Sequence, residues 1–252
     1  MASLPLPLIR SLLLAQFPNV RAAQSTAQGE TPDAPFGFNL GYNLGDDDSR
    51  VTANIVRYAA ALDLEAEDLA FMHQVHGDTI RVVSEPGAYE DTDAMITTQP
   101  GVGLTVRTAD CVPVLLYAPG AGAVAAVHAG WRGTAEHITR KTAARLLAEF
   151  GAEPEAVFAF IGAAAGACCY EVGNEVAALF PERWLQRSEG KNPRLDLPGI
   201  NRQQLLDLGI PEGNIETAGQ CSIHESHLLF SFRRDGDRSG RMLATIVLRE
   251  DV

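Results

Sequence analysis

The chain has 252 residues, 46% of them hydrophobic and 21% charged, enough apolar side chain for one sizeable core and with no stretch polar enough to stay unfolded. A single domain over residues 1–252 is expected. The formal net charge of −12 argues against a nucleic-acid partner, because phosphate-backbone binding draws on clustered Lys and Arg, although isolated arginines can still hold one phosphate. Four cysteines, Cys111, Cys168, Cys169 and Cys221, are too sparse for a secreted disulfide framework, so a reducing, cytoplasmic setting is expected. No segment reaches the roughly 20 apolar residues of a membrane span.

In chain order, the opening MASLPLPLIRSLLLAQFP is broken by Arg10 and has no charged stretch ahead of it, which predicts a helix or strand packed on the domain rather than a signal peptide. Residues 21–45, rich in Gly, Pro, Ala and Asn, read as loop and turn. A helix is predicted over 49–62 with Ser49 as its N-cap, then strands over 69–75, 79–83, 94–97, 104–108, 112–117 and 123–127. Ile138, Ala143, Leu146, Leu147 and Phe150 recur at helical spacing, predicting one helix over 134–150 closed by Gly151. A strand at 157–161, a loop at 162–173, helices at 174–180 and 201–208, and strands near 215, 228–232 and 243–248 complete the chain. Runs of strands with few helices suggest a mixed-sheet, layered α/β or α+β fold rather than a βαβ repeat.

Three segments end a strand-like run with a metal-capable side chain and then a turn: HQVHG at 73–77, TADCVP at 108–113 and VHAGWRG at 127–133. Strand ends present reactive groups from a fixed backbone, so the three could converge at one sheet edge. Their spacing matches no zinc-finger interval, and each residue alone reads as readily as an ordinary polar or small buried side chain. The same context occurring three times is what points to a site.

QVHG at 74–77, TADCVPVLL at 108–116, HAGWRG at 128–133, CCYEVG at 168–173 and SFRRDG at 231–236 together resemble the signature blocks of the laccase-domain proteins. That family is also known as multicopper polyphenol oxidase-like proteins, peptidoglycan editing factors and purine nucleoside phosphorylases. The resemblance implies that His76, Cys111 and His128 are the metal ligands. Two imidazoles and a thiolate leave a fourth position open, as in catalytic zinc sites; Zn2+ is the expected cofactor and Cu2+ the alternative. His73 falls outside the ligand positions, and strand alternation would turn it to the opposite face from His76.

Arg132 is the candidate to hold phosphate beside the metal, or else a surface arginine or a structural clamp on carbonyls. Asp110 is read as orienting a ligand histidine or capping its turn, and Asn43 as lining the pocket or serving a turn. Tyr170 is placed to stack on a purine and Glu171 to act as acid or base, unless both belong to a capping segment; Arg233 and Arg234 could reach the substrate from a neighbouring strand, but the structural ion-pair reading is favoured. The family's implied fold is a layered α/β/β/α arrangement of mixed sheets, similar to cytotoxic-necrotizing-factor-like cysteine hydrolases. Its implied activity is zinc-dependent phosphorolysis of adenosine, inosine, guanosine or methylthioadenosine, with adenosine deamination through water attack at C6. The alternatives are a hydrolase removing misincorporated serine from a peptidoglycan nucleotide precursor, a copper polyphenol oxidase, or a metal-binding protein without turnover. The partners expected are a small-molecule nucleoside and phosphate, for a monomer or homodimer, with no membrane. Two departures stand out: Ala163 and Ala167 stand where the family's GPAIGPCCYEVG block carries prolines, predicting a less stiff loop, and there is no arginine in Ser25-Thr26-Ala27-Gln28-Gly29 where the family has Thr-Thr-Arg.

Overall fold

The structure is a computed structural model and describes residues 6–29 and 36–250, so residues 1–5 of the N-terminal segment and 30–35 of the expected loop lie outside the described residues. Its strands are β1 (Leu8–Arg10), β2 (Val20–Ser25), β3 (Leu69–Met72), β4 (Ile80–Val82), β5 (Gly87–Tyr89), β6 (Ala94–Thr97), β7 (Gly103–Thr108), β8 (Val112–Ala118), β9 (Ala123–Ala129), β10 (Phe158–Ile161), β11 (Leu185–Gln186), β12 (Arg194–Leu195), β13 (Ile215–Thr217) and β14 (Met242–Leu248). The helices are α1 (Asp48–Ala60), α2 (Trp131–Ala135), α3 (Ile138–Phe150), α4 (Asn174–Ala177), α5 (Leu197–Leu206) and α6 (Phe232–Asp235). Two six-stranded sheets follow the orders β1-β2-β14-β7-β3-β5 and β13-β10-β8-β9-β6-β4, and β11 and β12 make a separate ribbon. Both large sheets are mixed: β3 runs parallel to β7 and β5, and β6 parallel to β4, among antiparallel neighbours.

Side-chain alternation assigns the layers. Along β8, Val112, Val114, Leu116 and Ala118 face one core while Leu115 and Tyr117 face another. The second core, with Leu104 and Val106 of β7 and Ala244 and Ile246 of β14, lies between the sheets. The first packs the outer face of the second sheet under Ile138, Ala143 and Leu146 of α3 and Ile200 and Leu205 of α5. Val51, Ile55 and Tyr58, one face of α1, cover the other sheet at Ala23, Leu69 and Leu243. The order is therefore helix, sheet, sheet, helix. Truncating a residue such as Leu115 or Leu104 in the middle core to alanine should cost about 2–5 kcal/mol.

Several expectations are corrected. Residues 21–25, read as loop, belong to β2 inside the first sheet, where pairing with β14 overrides the weak strand propensity of Ala22 and Ala23. Asp47, not Ser49, caps α1, accepting from the Ser49 and Arg50 amides, a contact worth about 1 kcal/mol. The single helix over 134–150 is two, α2 and α3, divided at His137 in the left-handed conformation (φ 61°), and Gly151 closes α3 as expected. Residues 228–232 are no strand: Ser231 caps the short helix α6. The alanines at 163–165 are buried, and the loop is tied at Ala163 to the Gln24 amide, at Ala164 to Ser222 and at Ala165 to Asp110. Hydrogen bonds supply stiffness that the missing prolines do not.

Candidate metal centre

Three chain segments deliver the donors. Cys111 stands one residue before β8, and His128 lies in β9 opposite Pro113, so the hairpin sets those two side by side. His76 comes from the loop after β3. The His76 and His128 nitrogens and the Cys111 sulfur lie within 4.8 Å of one another, and the two imidazole rings meet edge to face at 4.9 Å. His128 is buried, Cys111 half-buried and His76 exposed, so the trio closes on the protein side and opens to solvent on the other.

Asp93, immediately before β6, organises this trio. Its buried carboxylate accepts from His128 Nδ1 at 2.7 Å, which leaves Nε2 with its lone pair toward the donors. The same carboxylate accepts the amides of His76 (3.1 Å), Gly77 (2.7 Å) and Val75 (3.3 Å), holding His76 in a left-handed backbone conformation at φ 61° that few non-glycine residues adopt. Burial alone would raise the Asp93 carboxyl, but the His128 bond and charge and the Gly77 and Val75 amides outweigh it and hold it below its ordinary value. Gln74 ties the same loop to β7 through both atoms of its amide, at 2.8 and 2.7 Å from the Arg107 backbone.

The glycines of HAGWRG are there for space. A Cβ on Gly130 would stand 3.0 Å from His76 Cδ2 and 3.1 Å from the Cys111 sulfur, and one on Gly133 only 2.8 Å from the Gly77 carbonyl. Without metal, burial disfavours the Cys111 thiolate, yet His128 and His76 outweigh it and bring the thiol down to about 6. His128 is pushed the other way, to about 9, where the charges of Cys111 and Asp93 and their hydrogen bonds overcome burial. A polarised thiolate–imidazolium pair beside a second imidazole is a donor set suited to a soft or borderline divalent cation, so the residues present fit a metal.

The trio opens on a cavity of about 450 Å³ lined also by Arg107, Trp131, Arg132, Tyr170, Arg233 and Arg241. Arg132 is exposed, with its guanidinium 4.7 Å above the Trp131 ring. Tyr170 is buried, lies 5.0 Å from the Arg233 guanidinium and has its hydroxyl pushed up to about 12, chiefly by burial. His73 reaches the cavity rim but pairs with Glu90; the strand ends at Met72, so the turn, not strand alternation, separates His73 from His76.

Other assignments change. Asp110 orients no histidine: it accepts from Ser222 Oγ and the Arg233 amide, both at 2.6 Å, and so anchors α6. Asn43 is exposed, left-handed at φ 61° and outside the cavity lining, which fits the turn reading. Glu171 is exposed and also outside the lining. Arg234 is a structural clamp on the Ser222, Ile223 and Leu229 carbonyls and Asp235, whereas Arg233 bonds the Glu171 carbonyl at 2.7 Å and lines the cavity. All four cysteines are free, and Cys168, Cys169 and Cys221 form a second sulfur cluster, with all three sulfurs within 4.8 Å of one another. Asp93, Arg107, Arg241 and the role of Gly130 escaped the sequence reading. An acid directly before an apolar strand and a charge inside the run GLTVRT were the available signals.

Fold and site together define a mixed α/β protein with two mixed sheets and a His-Cys-His metal-type centre at the mouth of a cavity. The chain belongs to the multi-copper polyphenol oxidoreductase laccase family, whose profile matches residues 21–249. A protein of Deinococcus radiodurans named purine nucleoside phosphorylase is 40% identical over 248 residues, 96% of this chain and 93% of that relative. Adenosine deaminase RL5, from an unknown prokaryotic organism, is 33% identical over 243 residues, 89% of this chain and 92% of that relative. The crystal structure of YlmD from Geobacillus stearothermophilus matches with a TM-score of 0.87 at 34% identity, covering 95% of this chain and 94% of that one. Among the described residues no helix is long and apolar enough to cross a membrane.

Proposed function

We propose that the protein is a zinc-dependent purine nucleoside phosphorylase that cleaves adenosine, inosine, guanosine or methylthioadenosine with phosphate and also deaminates adenosine. The observation that carries this reading is the convergence of His76, Cys111 and His128 at the mouth of an open cavity, in a chain 40% identical to a named purine nucleoside phosphorylase. His76, Cys111 and His128 would hold the metal; zinc suits two imidazoles and a thiolate, and copper is the alternative. Bound zinc supplies Lewis acidity at the cavity mouth.

The chain's own groups do the rest. Tyr170 offers an aromatic face to the purine, and Arg132, stacked on Trp131 at the rim and without an ion pair among the described residues, offers a two-point fork to phosphate. In phosphorolysis a phosphate oxygen bonds to the ribose C1′ as the C1′–N9 bond breaks, and the departing purine takes up a proton. In deamination water adds at C6 and ammonia leaves. A cytoplasmic setting, a monomeric or homodimeric state and the likeness to cytotoxic-necrotizing-factor-like hydrolases belong to the same proposal.

The test incubates zinc-loaded protein with inosine and phosphate, with adenosine, with the serine-bearing cell-wall precursor and with a phenolic substrate under oxygen. Hypoxanthine plus ribose 1-phosphate from inosine is the expected outcome. Serine release or phenol oxidation without nucleoside cleavage would replace this reading with one of the alternatives.

A further inference from the structure

The chain carries 32 acidic side chains against 20 Lys and Arg, yet four arginines line the one cavity that holds the metal donors. Two are accounted for: Arg233 is bonded to the Glu171 carbonyl, and Arg132 lies exposed on Trp131. Arg107 and Arg241 are different. They stand on adjacent strands of the first sheet, Arg107 in β7 opposite Leu243 and Arg241 one residue before β14. Both are sunk in the cavity wall, and among the described residues neither is in ion-pair contact with a carboxylate.

Arg107 lies with its guanidinium 5.7 Å from the Phe71 ring centre, and its Nε is buried with no hydrogen-bond partner. Burial, and after it the like charge of Arg241, push Arg107 below the ordinary arginine value. Arg241 spends Nη1 on the Ser239 and Gly240 carbonyls at 2.7 and 3.0 Å and packs over Phe232 at 5.5 Å. Asp110, whose charge acts on Arg241 without forming an ion pair with it, is already engaged by Ser222 and the Arg233 amide. Like charges buried together are disfavoured unless an anion joins them, and an unfilled guanidinium edge matches two oxygens of a tetrahedral oxyanion.

We propose that Arg107 and Arg241 form an oxyanion subsite in the cavity wall, occupied by inorganic phosphate, with Arg132 as the exposed arm that reaches the same anion from the rim. The identity of the anion rests on the phosphorolysis reading; the existence of the subsite does not. The same chemistry would accept the phosphate of a nucleoside 5′-monophosphate, so both sources enter the test.

The experiment is calorimetric titration of zinc-loaded, full-length protein with inorganic phosphate and, separately, with adenosine 5′-monophosphate at fixed ionic strength. The variants are Arg107→Gln, Arg107→Lys and Arg241→Gln, each checked for zinc content and thermal midpoint. Because the Arg107 guanidinium donates to no group among the described residues, Arg107→Gln should keep the fold even if Arg241→Gln, which loses two carbonyl contacts, does not. Phosphate affinity should fall about tenfold or more in Arg107→Gln and recover in part in Arg107→Lys. Unchanged phosphate affinity in a folded Arg107→Gln, or no phosphate binding by the wild-type protein, would overturn the subsite. Arginine-dependent binding of the monophosphate alone would overturn its assignment to inorganic phosphate. Loss of phosphate binding in a protein that turns over no nucleoside would leave the subsite standing and remove the phosphorolysis reading. Nucleoside cleavage with a wild-type KM for phosphate in Arg107→Gln would do the reverse.

Discussion

Replacing Asp93 by Asn changes one atom of the side chain and should dismantle the support of two of the three donors. The carboxylate accepts four N–H groups, from His128 Nδ1 and the amides of Val75, His76 and Gly77. An amide keeps a single acceptor oxygen, and whichever way it turns, its NH2 faces N–H donors. At roughly 1.5–3 kcal/mol for a hydrogen bond to a charged group, two lost bonds amount to about 3–6 kcal/mol, of which movement of the exposed His76 loop recovers part. The expected residue is a metal affinity about 10- to 100-fold weaker, the usual effect of losing a carboxylate behind a ligand histidine. Chelator competition at fixed pH, alongside thermal melts, measures it. Wild-type zinc affinity in a folded Asp93→Asn protein would refute the role given to Asp93.

Between pH about 6 and about 9 the metal-free Cys111–His128 pair holds one proton, which a metal must displace. Zinc affinity should therefore weaken by about tenfold per unit as pH falls through that window, and more steeply below it, in titrations with a competing chelator. Gly130→Ala places a Cβ against His76 and Cys111 and should lower zinc content while leaving the circular dichroism spectrum unchanged. His76→Ala should lose zinc, whereas His73→Ala, whose imidazole pairs with Glu90, should retain it by elemental analysis. Arg132→Ala should slow phosphorolysis about 30- to 1,000-fold, some 2–4 kcal/mol, and deamination much less; equal losses in hypoxanthine and inosine formation would show that Arg132 holds no phosphate.

The strands that position the donors were legible because their composition is strongly apolar: 112–117 and 123–127 were expected, and β8 and β9 occupy them. β2 was not legible, since Ala22, Ala23 and Gln24 carry no strand signal until β14 lies beside them. The break between α2 and α3 at His137 was hidden because it depends on distant packing: Asn201 bonds Thr134 Oγ1 at 3.0 Å and Gln204 bonds the Thr134 carbonyl at 2.9 Å. Local motifs pointed to His76, Cys111 and His128, which the structure brings together. Asp93 lies 35 residues from His128, and only the β6–β9 pairing joins them. Asp110 misled for the opposite reason, being next to the cysteine in sequence but turned toward Ser222.

Nucleoside cleavage is proposed to run at the three-donor centre. Its most direct test is phosphate-dependent ribose 1-phosphate formation from inosine, measured together with zinc content, in wild-type protein and Cys111→Ser. The wild type should carry about one zinc per chain and turn over, and a Cys111→Ser protein that remains folded should do neither. Turnover at the wild-type rate by zinc-free Cys111→Ser would contradict that placement.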